Sequence, residues 1–304
     1  MFLFLKYLLA LSDNNIFYKK KYYWYSNFNK VRKISAIEDS ISLLLKNNNS
    51  INNRIEVKVA VLCHLYYIDL WKEFRNYLKN IEIPFDLYVN LVEGSSSYPQ
   101  LIKIKKNIER LYPAATVIIS DNRGLDIGGT LTLINFIIEK KIDYDLFLKI
   151  HSKKSFQSTT KTVGKRWRHE LLNSLLGSPF IVNGILTLFK ENGKLGMVGS
   201  KTWHIKAVDN FYFAVGANES GIKYICNQFN IREVVTSLEF IGGTMFWIDA
   251  KIVINKLKLL NLNIIINNLE VGYFRDNQES TRTHSMERVF GLIILDEKKE
   301  IITI

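Results

Sequence analysis

The stretch from Ser120 to Ser155 constrains this chain most. It reads S-D-N-R-G-L-D-I-G-G-T, then an apolar run, then Y-D-L-F-L-K-I-H-S-K-K-S. Val117, Ile118 and Ile119 form the β-branched run of a buried strand. Asp121-Asn122-Arg123-Gly124 stops that strand with turn chemistry. Leu131, Ile134, Ile137 and Ile138 then fall at helical spacing, and Leu146-Phe147-Leu148 with Ile150 is the next strand. A strand, crossover helix and parallel strand make a right-handed unit. Ligands in open α/β sheets bind outside the carboxyl ends of such strands. The two polar loops should therefore face one crevice. The first offers Asn122, Arg123, Gly124, Asp126 and two more glycines; the second offers His151, Lys153, Lys154 and Ser155. Singly, Asn-Arg-Gly is an ordinary turn and Lys-Lys an ordinary solvated patch. Together, at adjacent strand ends, they suit a ligand bearing phosphates and hydroxyls.

The flanking sequence repeats the alternation. Val57–Leu62 reads as a strand with His64 just past its end, and Asp69 is placed to cap a helix carrying Leu70, Phe74, Tyr77 and Leu78. Phe85–Val89 is a second strand ending near Asn90, Leu101–Leu111 a basic helix, and Thr116–Ser120 a third strand. The expected fold is α/β, a Rossmann-like, mostly parallel sheet flanked by helices. No dinucleotide glycine fingerprint follows the first strand and no P-loop occurs, which argues against a nicotinamide dehydrogenase or a P-loop kinase. The asparagine-rich run ending at Arg54 reads as a linker, so residues 1–54 are expected to be an appendage and 55–304 the main domain.

Downstream, Leu171–Leu176 and Ile181–Phe189 read as helices and Leu195–Gly199 as a short strand. Residues 201–235 read as an irregular insertion able to shape an acceptor pocket. Gly242 and Gly243 allow close backbone approach to a ligand, and a strand resumes over Thr244–Ile248. Glu287 and Arg288 are expected near the start of a late helix, where the helix dipole alone partly accounts for a carboxylate.

Net charge is +12, from 41 Lys and Arg against 29 Asp and Glu, which favours an anionic partner: a nucleotide, a polyphosphate or an acidic membrane face. The basic residues are spread out, and no zinc-finger spacing or aromatic RNA-binding signature points to nucleic acid. Two cysteines, Cys63 and Cys226, cannot build a disulfide framework, so a reducing compartment is expected. Met1–Leu11 is too short to span a bilayer and lacks the features of a signal peptide, while Lys19–Tyr25 reads first as an amphipathic segment packed on the domain or the tail of a preceding domain, and second as a basic-aromatic segment resting on a membrane surface. The five histidines form no metal motif.

Six blocks occur in order: H-L-Y-Y-I-D-L-W, D-N-R-G-L-D-I-G-G, L-K-I-H-S-K-K-S, G-K-R-W-R, F-I-G-G-T-M-F-W and H-S-M-E-R-V-F-G. Over roughly residues 57 to 295 the chain resembles the rhamnan synthesis F family of polysaccharide and O-antigen assembly. The resemblance implies a GT-A-like glycosyltransferase. Its donor would be a nucleotide-diphosphate sugar, with rhamnose or another deoxysugar as candidates, and its acceptor a lipid-linked or growing cell-surface glycan. It implies a cytoplasmic location, with peripheral contact at the inner membrane face as an option. It moves His64 toward the donor site beside Asn122, Arg123, Gly124, Asp126, His151, Lys153, Lys154 and Ser155. Gly242, Gly243, Thr244, Trp247, His284 and Arg288 fall on the acceptor side. Glu287 becomes the candidate general base, with Asp126 second or bound to the donor.

One departure stands out. The strand ending near residue 150 commonly finishes in Asp-x-Asp in such enzymes, but here it ends His151-Ser152-Lys153. The expectation is that His151, Lys153 and Lys154 neutralise the diphosphate and that a divalent metal is not required. Asp121 and Asp126 stay open as metal ligands. The rival readings are a non-catalytic nucleotide-sugar or glycan-binding module and an assembly subunit on an acidic membrane face.

Overall fold

The computed structural model describes residues 34–46, 56–154, 161–209, 211–232, 237–272 and 281–304. Seven strands form one sheet. They are β1 (Val59–Leu65), β2 (Phe85–Val92), β3 (Thr116–Ser120), β4 (Leu146–His151), β5 (Leu195–Gly199), β8 (Phe246–Asp249) and β9 (Glu300–Thr303), in the order β3-β2-β1-β4-β8-β5-β9. Only β8 runs antiparallel to its neighbours. The short strands β6 (His204–Lys206) and β7 (Glu239–Ile241) make a separate antiparallel ribbon. The α/β class and the mostly parallel sheet are as expected.

The first connecting helices are α2 (Trp71–Leu78), α3 (Tyr98–Leu111) and α4 (Leu125–Glu139). From β1 the chain steps outward to β2 and β3, then returns to the other side of β1 as β4. Right-handed crossovers therefore put α2 and α3 on one face and α4 on the other. The order reverses between β1 and β4, and a crevice opens at such a switch point. Two helices, α5 (Lys161–Leu176) and α6 (Pro179–Glu191), share the layer of α2, while α11 (Arg282–Asp296) packs beside α4 on the opposite face.

Several boundaries differ from expectation, each for a physical reason. β1 continues through His64 to Leu65, and β2 through Asn90 to Val92, because these polar side chains pair with one another inside the sheet. Asp69 lies in a 3₁₀ turn and does not cap α2, whose N-terminal Leu70 makes no side-chain cap. Thr281 caps α11 through the His284 amide, so Glu287 sits beyond the first turn and the helix dipole does not explain it. Residues 201–235 are not simply irregular: Ile222, Ile225 and Cys226 bury one side of α8 (Glu219–Gln228). The helix α1 (Ile34–Lys46) falls in the span expected as an appendage, yet Ile37 and Ile41 are fully buried against α6. No single helix among the described residues is long and apolar enough to cross a membrane.

Candidate active site

A polar row crosses the carboxyl ends of the parallel strands. Asn90, His64 and His151 are register partners on β2, β1 and β4, so they share one face of the sheet. All three are buried. His64 and Asn90 bond at 2.7 Å between Nδ1 and Oδ1, and Asn90 donates onward to Ser120 Oγ at 2.8 Å. Burial pushes the His64 pKa down, so the ring is neutral and Nδ1–H is the donor. Gly129 of α4 lets the helix close on this row: a Cβ there would stand 2.1 Å from His64 Nδ1 and 2.3 Å from Asn90 Oδ1.

Two residues before His151, Lys149 points to the same face and is almost completely buried. Its ammonium donates to Asp126 Oδ2 at 2.7 Å, to the Thr244 carbonyl at 2.7 Å and to Thr244 Oγ1 at 2.8 Å. Those three bonds use all three ammonium protons. The Thr244 hydroxyl donates in turn to Asp126 Oδ2 at 2.6 Å. Burial alone would raise the Asp126 pKa, but the Lys149 ammonium and the Thr244 hydroxyl outweigh it and hold the carboxyl well below its usual range. Burial drives the Lys149 pKa down, opposed by Asp126 and by Glu287.

The turn before β8 completes the cluster. Gly243 has φ +84°, and its carbonyl accepts from His151 Nε2 at 2.7 Å. Thr244 follows at φ +49°, a conformation that costs a β-branched residue about 1–3 kcal/mol. The bonds from Lys149 hold it there. His151, 3.8 Å from Asp126 Oδ2, has its pKa pushed down to about 3, chiefly by burial. It is a neutral hydrogen-bonding group, not the cation expected to meet a diphosphate.

Around this buried core stand the more open groups. Lys153 lies over the Trp167 ring, its ammonium 3.4 Å from the centroid. Burial lowers its pKa, while Glu287 and Asp126 raise it, so both carboxylates act on it electrostatically. Glu287 is a quarter exposed and 3.4 Å from Arg288 Nη1. His284, one turn earlier on α11, has its pKa lowered by burial and raised by Glu287. Arg168 grips Glu73 through two bonds of 2.8 and 2.9 Å and donates to the Lys153 carbonyl, fixing the chain where it leaves β4.

Other expected site residues lie elsewhere. Arg123 Nη1 donates to the carbonyls of Asn267 and Leu269 at 3.0 Å each, closing the end of α10 (Leu262–Asn267). Those bonds tie Arg123 to the end of α10, while Asp126 of the same loop reaches Lys149 of β4. Gly124 caps α4 from a left-handed conformation and bonds the Glu270 carbonyl. The Asn122 carbonyl accepts from Gly272, and its side-chain Oδ1 is buried without a partner among the described residues. Lys154 pairs with Asp69. Trp247 is fully buried and donates to the Leu175 carbonyl, which places it in the core and not on an acceptor face. Gly242 bonds the Trp203 carbonyl, and Arg288 bonds Ala214 and lies over Phe240. Ser155 lies outside the described residues. Lys149 and Asn90 were missed, although a lysine within L-F-L-K-I-H and an asparagine within L-Y-V-N-L-V demand buried partners.

The rhamnan synthesis protein F family matches residues 6–299. The chain belongs to that family. Membership places it in a family of polysaccharide synthesis. No curated protein matches the chain. Among solved structures it is similar to a mannosyltransferase from Pyrobaculum calidifontis, solved with GDP-mannose and Mn2+, at 12% identity. That likeness covers 90% of this chain and 66% of the other, with a TM-score of 0.37.

A divalent ion of the kind many such sites hold needs several oxygen ligands. Here Asp126 Oδ2 is taken by Lys149 and Thr244, and His151 Nε2 by Gly243. No group of three or more His, Cys, Asp or Glu among the described residues could hold a metal. The donors as arranged do not fit such an ion.

Proposed function

We propose that this chain is a glycosyltransferase moving a sugar from a nucleotide-diphosphate donor to a growing polysaccharide. Rhamnose or another deoxysugar is the donor sugar that fits the family's name. One observation carries the reading. At the switch point of a parallel sheet, Asp126 is held ionised by a buried ammonium, with Glu287 and Lys153 within electrostatic reach.

Sugar transfer needs a base for the acceptor hydroxyl, support for the positive charge developing on the sugar, and positive charge for the leaving diphosphate. Glu287 is the open carboxylate and serves as the base. Asp126, fixed and negative, faces the donor sugar and supports the developing charge. Lys153, on a flexible stem beside both, supplies the positive charge to the diphosphate. His64, Asn90 and His151 are neutral and form the floor that holds α4 and the Gly243 turn in register. The membrane-face contact suggested by the net charge of +12 would bring a lipid-linked acceptor to this edge.

A thermal-shift panel of nucleotide sugars, with and without magnesium or manganese, tests the reading. At least one donor should raise the melting temperature without metal, because ligands of the folded state stabilise it. Release of nucleoside diphosphate on adding a glycan should follow. No shift with any donor contradicts the reading, and binding without release identifies a binding module instead.

A further inference from the structure

Trp167 and Trp203 stack with ring centroids 4.1 Å apart and planes 14° from parallel. Trp203 covers one face of Trp167, and the Lys153 ammonium covers the other. The Trp167 edge lies against the Gly243 turn, where a Cβ would come within 2.8 Å of its Nε1. That Nε1 is buried with no hydrogen-bond partner among the described residues. The stacked indole pair stands beside the Asp126–Lys149–Thr244 cluster at the strand ends. An indole face suits the apolar C–H face of a sugar ring.

We infer that Trp167 is the acceptor-sugar platform and that Lys153 is its removable cover. Without donor, the ammonium rests on the indole, where cation–π attraction offsets part of its desolvation. A bound diphosphate attracts that ammonium more strongly, because charge-assisted contacts to phosphate exceed a cation–π contact. Arg168 holds the Lys153 backbone through its carbonyl, so the side chain swings while the main chain stays. The move leaves one face of Trp167 open to a saccharide. Donor and acceptor then bind in order, nucleotide first. This inference rests on the glycosyltransferase reading and adds to it the acceptor subsite and the order of binding.

The test follows Trp167 fluorescence as the difference between the parent protein and Trp167→Phe. The full chain is titrated with UDP, GDP and dTDP, then with a panel of short neutral oligosaccharides, including a rhamnan trisaccharide. Thermal shift reports nucleotide binding independently. A nucleotide that shifts the melting temperature should change the Trp167 signal, and Lys153→Met should remove that change. At least one saccharide should bind only when nucleotide is present, and Trp167→Ala should weaken it by about tenfold or more. Trp167→Phe keeps the packing on Trp203, guards against misfolding of the alanine variant, and should cost only a few-fold. The inference is overturned if nucleotide binds with no Trp167 response, if no saccharide binds after nucleotide, or if saccharides bind equally without it. If no nucleotide binds at all, the glycosyltransferase reading fails first and takes this inference with it.

Discussion

Replacing Lys149 with methionine removes the ammonium while keeping a long apolar stem. It deletes three hydrogen bonds of 2.7–2.8 Å at once. Asp126 is then left ionised, 12% exposed, and held only by the Thr244 hydroxyl. Removing one partner of a buried ion pair costs about 3–5 kcal/mol, because the other charge stays desolvated. Loss of the same bonds also frees Thr244 from its left-handed conformation. For a chain of this length that cost lowers the melting temperature by roughly 5–8 °C. The assay is thermal unfolding followed by circular dichroism at pH 7, on Lys149→Met, Asp126→Leu and the double variant. The double variant removes both charges, so it should recover most of the loss, a coupling that independent sites do not show. A Lys149→Met protein melting within about 2 °C of the parent, or losses that simply add, would refute the reasoning.

Acid should unfold the protein earlier than a carboxylate count suggests. The His151 pKa is depressed to about 3 in the folded protein, so below the unfolded value of 6.5 only the unfolded chain gains that proton. Stability should fall by about 2 kcal/mol between pH 7 and pH 5 from this residue alone, and urea titrations of the parent and His151→Gln should differ by that slope. Asp126 acts at lower pH with the same sign: its depressed pKa gives stability that is present above about pH 4 and lost as pH falls further. Gly129→Ala should destabilise by about 1–3 kcal/mol, read by chemical denaturation, because its methyl would overlap His64 and Asn90.

Much of the fold was legible because the strands are apolar runs of ordinary length and α4 opens just after a polar turn. The cluster was half legible. Asp126 and His151 could be named because they sit where a strand meets a helix. Lys149 could not be named by a rule that looks only at strand ends, since it lies two residues inside β4. Arg123 could not be placed at all, because its partners are backbone carbonyls 144 and 146 residues later. The family resemblance set Trp247 on the acceptor side, but β8 is buried on both faces and the Trp247 ring lies in the core. Glu287 was placed one turn too early, because the helix start depends on Thr281 and not on the apolar pattern that follows.

Turnover of Glu287→Gln tests the central claim most directly. The assay measures nucleoside diphosphate release from a donor shown to bind, with an accepted glycan present, alongside donor affinity by calorimetry. If Glu287 removes the acceptor proton, turnover falls by about 10²-fold or more while donor affinity stays unchanged. Near-normal turnover would contradict the account, as would a matching loss of donor affinity.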